Sequence, residues 1–171
     1  ESKDRVRSAI INSGFEFPNQ RITINLAPAD LPKEGGRFDL AIALGILAAS
    51  QQIFSSTLTE YECVGELSLG GELRAVKGIL PVVIASRNAG RKLLMPHAST
   101  TEASLIEHPG LFAAHHILDV CEHLAGKQCI PATNANYQSS SDSFDIDFAE
   151  VQGQYQAKRA LEIAAAGSHN V

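Results

Sequence analysis

The stretch that most constrains this chain is "LAIALGILAAS", residues 40 to 50. It is apolar on nearly every side, so a helix built from it has no face to give to water and must run through the middle of a core. Asp39 stands just before it and is expected to cap its first turn. The flanking sequence has to supply the elements that wrap around this helix.

Upstream, residues 2 to 13 place Val6, Ile10 and Ile11 near one face and Lys3, Asp4, Arg5 and Arg7 elsewhere. This predicts an amphipathic helix closed by a left-handed turn at Gly14. "RITINLAP" then alternates Ile22, Ile24 and Leu26 with Thr23 and Asn25, predicting a strand half buried on one face and ended by Pro28. Downstream, "ECVGELSLGGELRAV" reads as two short strands turning at Gly70-Gly71. "ILPVVIASRNA" predicts a helix near 79 to 89, with Pro81 in its first turn and Gly90 beyond its end. "KLLMP" predicts a short buried strand, "TTEASLI" a short helix from a threonine cap, and "ILDVCEHLAG" a helix ending at Gly126. The alternation predicts an α/β domain with layered, α+β-like construction.

From Ala132 to Asp147 the composition changes to Asn, Ser and Asp with almost no aliphatic residues, which predicts a linker. Beyond it, helical periodicity resumes through Ala157, Ala160, Leu161 and Ala164 as far as Gly167. A length of 171 residues allows one full domain plus part of a second, since domains typically run ~100–150 residues. The expected division is a domain over 1–131, a linker over 132–147, and the start of another domain over 148–171. The chain opens without Met, so residue 1 is expected to be a cut end.

A net charge of −5 gives no overall basic field for nucleic acid. Any such contact needs a local patch, for which the candidates are Arg5, Arg7, Arg21, Lys33, Arg37, Arg74 and Lys77, with no aromatic platform interleaved among them. The three cysteines, Cys63, Cys121 and Cys129, are odd in number and unevenly spaced, which argues against a disulfide framework and fits a reducing cytoplasm. The charged, helical opening "ESKDRVRSAI" is not expected to be a signal peptide, and no apolar run reaches the ~18 residues needed for a membrane span. His115, His116, Cys121 and His123 match no zinc spacing; the histidines are expected at the surface and the cysteines as buried small apolar residues rather than ligands, so no metal site is assigned.

The loop from Pro32 to Asp39, with Lys33 and Arg37, has the look of a phosphate cradle opening onto a helix. It lacks the spacing G-x-x-x-x-G-K-[ST], and Asp39 places a negative charge where a phosphate would sit. A tight turn that aims the buried helix is the expectation.

Two resemblances bear on this loop. Residues 28 to 50 with "VGELSLGGELRAVKGILPVVIASRNAGRKLLMP" resemble the proteolytic domain of Lon peptidases, in which a loop serine and a later lysine form the catalytic pair. Pro32, Lys33, Glu34 and Gly35 match the loop, but the serine position is Arg37; Gly65, Glu66, Leu69 and Gly71 match the second motif, but the lysine position is Leu80. The resemblance therefore implies an architectural loop, with a displaced pair, Ser68 and Lys77, as the alternative that would keep peptidase chemistry.

Three blocks in order, "ESKDRVRSAIINSGFEFPNQRITINLAPADLPKEGGRFDLAIALGIL", "GELSLGGELRAVKGILP" and "DFAEVQGQYQAKRALEIAAAGSHNV", resemble the magnesium-chelatase-like AAA+ ATPases of the YifB/ComM group. The resemblance implies a Lon-like domain of the ribosomal S5 domain 2 type, lacking its opening strands here, and then a helical lead-in to an AAA+ module. It implies a cytoplasmic, hexameric DNA motor of the branch-migration kind that self-associates through its AAA+ ring and uses ATP and Mg²⁺ when full length. Val151, Gln152, Gly153 and Gln154 are implied to lie against the adenine, and the phosphate-binding lysine falls outside this sequence. The nucleic-acid residues expected on this view are Lys33, Arg37, Arg74 and Lys77. An ATPase subunit acting on a tetrapyrrole is the other reading that the resemblance leaves open.

Overall fold

Helices α1 (Ser2–Asn12) and α2 (Asp39–Ala49) pack against each other in a computed structural model that describes residues 2–27, 35–53, 56–133 and 148–170. As its composition requires, α2 is central: Leu40, Ala43, Leu44, Ile46 and Leu47 are all buried, beside Val6, Ala9 and Ile10 of α1. Full burial stabilises each such leucine or isoleucine by ~1.5–3 kcal/mol. Gly14, at φ +83°, turns the chain out of α1 as its spacing predicted.

A three-stranded parallel sheet runs in the order β1 (Tyr61–Cys63), β4 (Lys92–Pro96), β5 (Leu111–Ala114). Between β1 and β4 the chain forms the antiparallel hairpin of β2 (Glu66–Leu67) and β3 (Leu73–Arg74), followed by α3 (Ile79–Asn88). Between β4 and β5 lies the single turn of α4 (Thr100–Ala103), and after β5 comes α5 (Ile117–Leu124). Successive side chains of a strand point to opposite faces, and β4 uses both. Leu94 joins α1, α2 and α5 in one core, while Leu93 and Met95 join Ile79, Val83 and Ala103 in a second. Helices thus cover both faces of the sheet, the arrangement that parallel strands require because neither face can be left wet. This is an α/β fold.

Several expectations are corrected. Residues 21–26 form no strand: Ile22, Ile24 and Leu26 are exposed, and among the described residues no hydrogen bond joins them to a partner. Alternation describes a half-buried strand, but a strand exists only through a neighbour's ladder, and none lies beside this one among the described residues. Asp39 does not cap α2. Phe38 occupies the cap, with no side-chain bond, and the Asp39 carboxylate turns inward. Nor does a threonine cap α4, since Ser99 precedes it without a side-chain cap bond and the Thr100 hydroxyl donates to the His97 carbonyl at 2.5 Å. Strand β5 was not anticipated, because "LFAA" is too short to show a period.

The chain divides into two compact units, 1–137 and 138–171. Of the stretch expected to be a linker, residues 134–147 lie outside those described; Ala132 bridges Phe112, and Thr133 N–H donates to the Leu111 carbonyl at 2.8 Å. The second unit has a 3-10 turn over Phe148–Glu150 and helix α6 (Tyr155–Gly167), braced by Lys158 over the Phe148 ring and by the Arg159–Glu162 pair at 3.1 Å. No described helix is long and apolar enough to cross a membrane.

Candidate nucleic-acid interface

The turn before α2 is clipped to the strand that faces it. Gly65 N–H donates to the Arg37 carbonyl at 2.9 Å, and Leu40 N–H to the Gly65 carbonyl at 3.0 Å. Gly36 is required for fit: a Cβ there would stand 2.5 Å from Glu66 Cγ and 2.9 Å from Asp39 Oδ2. Asp39 itself is fully buried, with Arg5 Nε 2.9 Å from Oδ2, the Ser2 hydroxyl donating to Oδ1, and the Leu67 N–H 3.4 Å away. A buried carboxylate already occupies the start of this helix and would repel a second anion, so this helix start is no phosphate cradle.

The basic side chains separate into three groups. Arg5 belongs to the buried pair with Asp39, and Arg7 lies 4.8 Å above the Phe17 ring, so neither faces a ligand freely. Arg21 borders an open groove of about 730 Å³ between α1, α2 and residues 17–26. Arg37, Arg74 and Lys77 come together at the hairpin: Arg37 Nη2 donates to the Lys77 carbonyl at 2.5 Å, and Arg74 is in register with Glu66, whose side chain lies over Gly36. Arg74 and Lys77 are exposed. Three cationic side chains carried on or bonded to one hairpin segment make a local basic patch on an acidic chain, the condition set for phosphate contact. Lys33 lies outside the described residues.

The alternative pair Ser68 and Lys77 is not assembled. Ser68 is buried, donates its hydroxyl to the Glu72 carboxylate, and accepts the N–H groups of Gly70 at 3.2 Å and Glu72 at 3.1 Å. Its oxygen closes the hairpin, and no amine reaches it. A serine without a neighbouring base is not a nucleophile.

The histidines depart most from expectation. His116 caps α5, its Nδ1 accepting the Leu118 N–H at 3.1 Å while Nε2 lies 3.0 Å from the Gly70 carbonyl; Asp119 completes a capping box. His123 Nδ1 accepts the Ile130 N–H at 3.0 Å, with Nε2 3.0 Å from the Tyr61 hydroxyl. His108 does the same between the Gly110 N–H and Ser86. Each therefore accepts a backbone N–H at Nδ1 and reaches a second segment through Nε2, stapling the two together. Burial, reinforced by the charge of Arg87, holds the His108 pKa below its ordinary value, and burial with Lys92 does so for His123. Sequence spacing carries no signal for such roles, because the partners are backbone groups of remote turns. Among the described residues no group of three or more His, Cys, Asp or Glu could hold a metal ion.

The groove beside residues 17–26 has an apolar side of Val6, Phe17, Ile22, Ile24, Leu26 and Ile46 and a polar rim that includes Lys3, Arg7 and Arg21. In the second unit Val151, Gln152, Gly153 and Gln154 are all exposed, and Gly153 and Gln154 take consecutive left-handed conformations at φ +69° and +50°. A Cβ at Gly153 would meet nothing within 4 Å, so the space beside that backbone is open.

Two family models match the chain. Residues 1–99 match one described as subunit ChlI of Mg-chelatase, and residues 147–171 match a second, magnesium chelatase, subunit ChlI. The chain belongs to the magnesium-chelatase ChlI family. This ChlI-family chain is 47% identical to the competence protein ComM of Haemophilus influenzae over 175 residues. It is 50% identical to the uncharacterized protein YifB of Salmonella typhimurium and 48% identical to that of Escherichia coli. All three alignments cover the whole chain and 34% of the relative, so the ChlI-family chain spans about a third of the length of these curated relatives and sits with the YifB/ComM group. The first family match reaches from α1 through β4 and so includes Arg37, Arg74, Lys77 and the hairpin.

Proposed function

We propose that this chain is the front part of an ATP-driven, magnesium-chelatase-like AAA+ motor that works on DNA. Residues 1–133 act as a non-catalytic, Lon-like binding domain of the ribosomal S5 domain 2 type, and residues 148–171 lead into the ATPase ring through which subunits assemble into a hexamer. The observation that carries the DNA reading is the meeting of Arg37, Arg74 and Lys77 at one hairpin of a chain whose net charge is −5. Phosphates would be held there by charge and by the guanidinium fork of Arg74, positioning the strand without reading its sequence. The competence name of the Haemophilus relative agrees with work on DNA, and branch migration is the motor activity it fits.

ATP and Mg²⁺ belong to this reading for the whole protein, supplying the phosphoryl transfer that powers movement. This chain offers the nucleotide only the exposed backbone of Val151 to Gln154, where the left-handed Gly153 leaves room for a base. No residue of 148–170 stands in for a phosphate-binding lysine within G-x-x-x-x-G-K-[ST].

The test is DNA-dependent ATP hydrolysis by the whole protein, with and without the substitutions Arg74→Ala and Lys77→Ala. Stimulation by DNA that these variants abolish supports the reading. Hydrolysis indifferent to DNA but raised by a tetrapyrrole-binding partner would replace it with the chelatase subunit.

A further inference from the structure

We infer that His97 and His115 form a base-stacking platform beside the basic hairpin, so that this face takes single-stranded rather than duplex DNA. The inference rests on the DNA reading above and narrows its ligand.

The two rings are stacked, with centroids 4.1 Å apart and planes 24° from parallel, and both residues are exposed. Their spacing is a product of the sheet. β4 and β5 are parallel neighbours with Pro96 in register with Ala114, so the next residue of each strand, His97 and His115, leaves the sheet side by side. Adjacent strands run ~4.8 Å apart, close to the separation at which flat rings stack. The carboxyl ends of parallel strands are also where open α/β sheets bind their ligands.

These two histidines differ from the stapling ones. His108, His116 and His123 use both ring nitrogens inside the fold, whereas among the described residues no hydrogen bond engages either ring nitrogen of His97 or His115. Folding does not account for this pair.

The platform adjoins the cationic face. Leu73 N–H donates to the His115 carbonyl at 2.7 Å, and Val76 N–H to the Ser99 hydroxyl at 3.4 Å, so the segment carrying Arg74 crosses the strand ends between the two anchor points. Lys77 follows directly. Phosphate-binding cations next to an exposed flat ring are the two parts of a single-strand site, in which a backbone tracks the charge and a base stacks on the ring. A duplex keeps its bases within its own stack and has none to offer. Candidates scattered through the sequence show no interleaved aromatic; the fold brings one to them from two other segments.

The experiment uses the whole protein with a single-stranded oligonucleotide containing 2-aminopurine and a duplex of the same length. For the double substitution His97→Ala with His115→Ala, single-strand affinity should fall about ten-fold, the loss of one stacked base, and the 2-aminopurine fluorescence change on binding should disappear. Duplex affinity should hold. Replacing both by phenylalanine should restore stacking, which a merely structural role for the histidines would not predict. Equal losses on single strand and duplex, or no loss on either, would overturn the platform. If Arg74→Ala with Lys77→Ala still lowers affinity in that case, the basic face stands without it; if those variants also change nothing, the DNA reading fails as well.

Discussion

Arg5 and Asp39 form a buried ion pair between the two core helices, with Nε 2.9 Å from Oδ2 and the aspartate side chain wholly excluded from solvent. The pair, with Ser2 and the Leu67 N–H as further partners of the carboxylate, ties α1, α2 and the hairpin together. Removing one member of a buried pair leaves a desolvated charge behind. Arg5→Ala should therefore lower unfolding free energy by ~3–5 kcal/mol, measured by urea titration. A loss below about 1 kcal/mol, typical of exposed pairs, would show that the bridge contributes only as a surface contact does.

Gly71 and Gly14 both have positive φ, +98° and +83°, but differ in surroundings. A Cβ at Gly71 would overlap the Ser13 hydroxyl and stand 2.8 Å from the His116 ring, whereas one at Gly14 meets nothing within 4 Å. Gly14→Ala should cost ~1–2 kcal/mol of backbone strain. Gly71→Ala should cost clearly more and disturb the His116 cap. Comparable melting temperatures for the two variants would contradict the crowding at Gly71.

The stapling histidines make stability depend on pH. The folded-state pKa values of His108 and His123 lie below the ordinary 6.5, so in mild acid the unfolded chain binds more protons than the folded one. Stability from these two groups is complete above about pH 6.5 and should decline as pH falls below it. Urea midpoints at pH 7.5 and pH 5.5 test the sign; a higher midpoint at pH 5.5 would contradict it. The double variant His108→Gln with His123→Gln should show a flatter profile over that interval.

Burial pushes the Cys63 and Cys121 thiols up to about 12, while Cys129 is exposed. Since the thiolate is the reacting species, a thiol reagent at pH 8 should label Cys129 first. Mass spectrometry of the native protein should find the other two modified only after denaturant is added. Rapid native labelling of Cys121 would indicate that α5 opens readily.

Salt dependence tests the cationic face. Each phosphate contact contributes about −0.7 to the slope of log affinity against log salt for single-stranded DNA. Loss of Arg74 and Lys77 together should make the slope less steep by about 1.4, if both contact phosphate. An unchanged slope removes the hairpin from the interface.

Elements with a strong local signature were legible in the sequence. The all-apolar α2, the Gly14 and Gly90 stops, the Gly70-Gly71 hairpin and the KLLMP strand stand where their residues placed them. What failed depends on groups distant in sequence. The inward turn of Asp39 is set by Arg5, thirty-odd positions away, and overrides its local preference for a cap. Residues 21–26 have the pattern of a strand without a described partner, which no local pattern reveals. The site was legible by halves: Arg37, Arg74 and Lys77 could be named, but their meeting point follows from the Glu66–Arg74 register and the Arg37 bond to the Lys77 carbonyl. The His97–His115 stack was invisible, since its members meet only where two parallel strands end.

The parallel order of the main sheet also bears on how quickly the chain can find its structure. Neither the β1–β4 nor the β4–β5 pairing can start from a tight reversal; each must close a long loop before its first hydrogen bond forms. The hairpin and α3 lie inside the longer of those loops, so their early collapse shortens the search for β1 and β4. A glycine placed mid-way in α3 should accordingly slow refolding more than it hastens unfolding, making this helix a kinetic gate for the whole first unit.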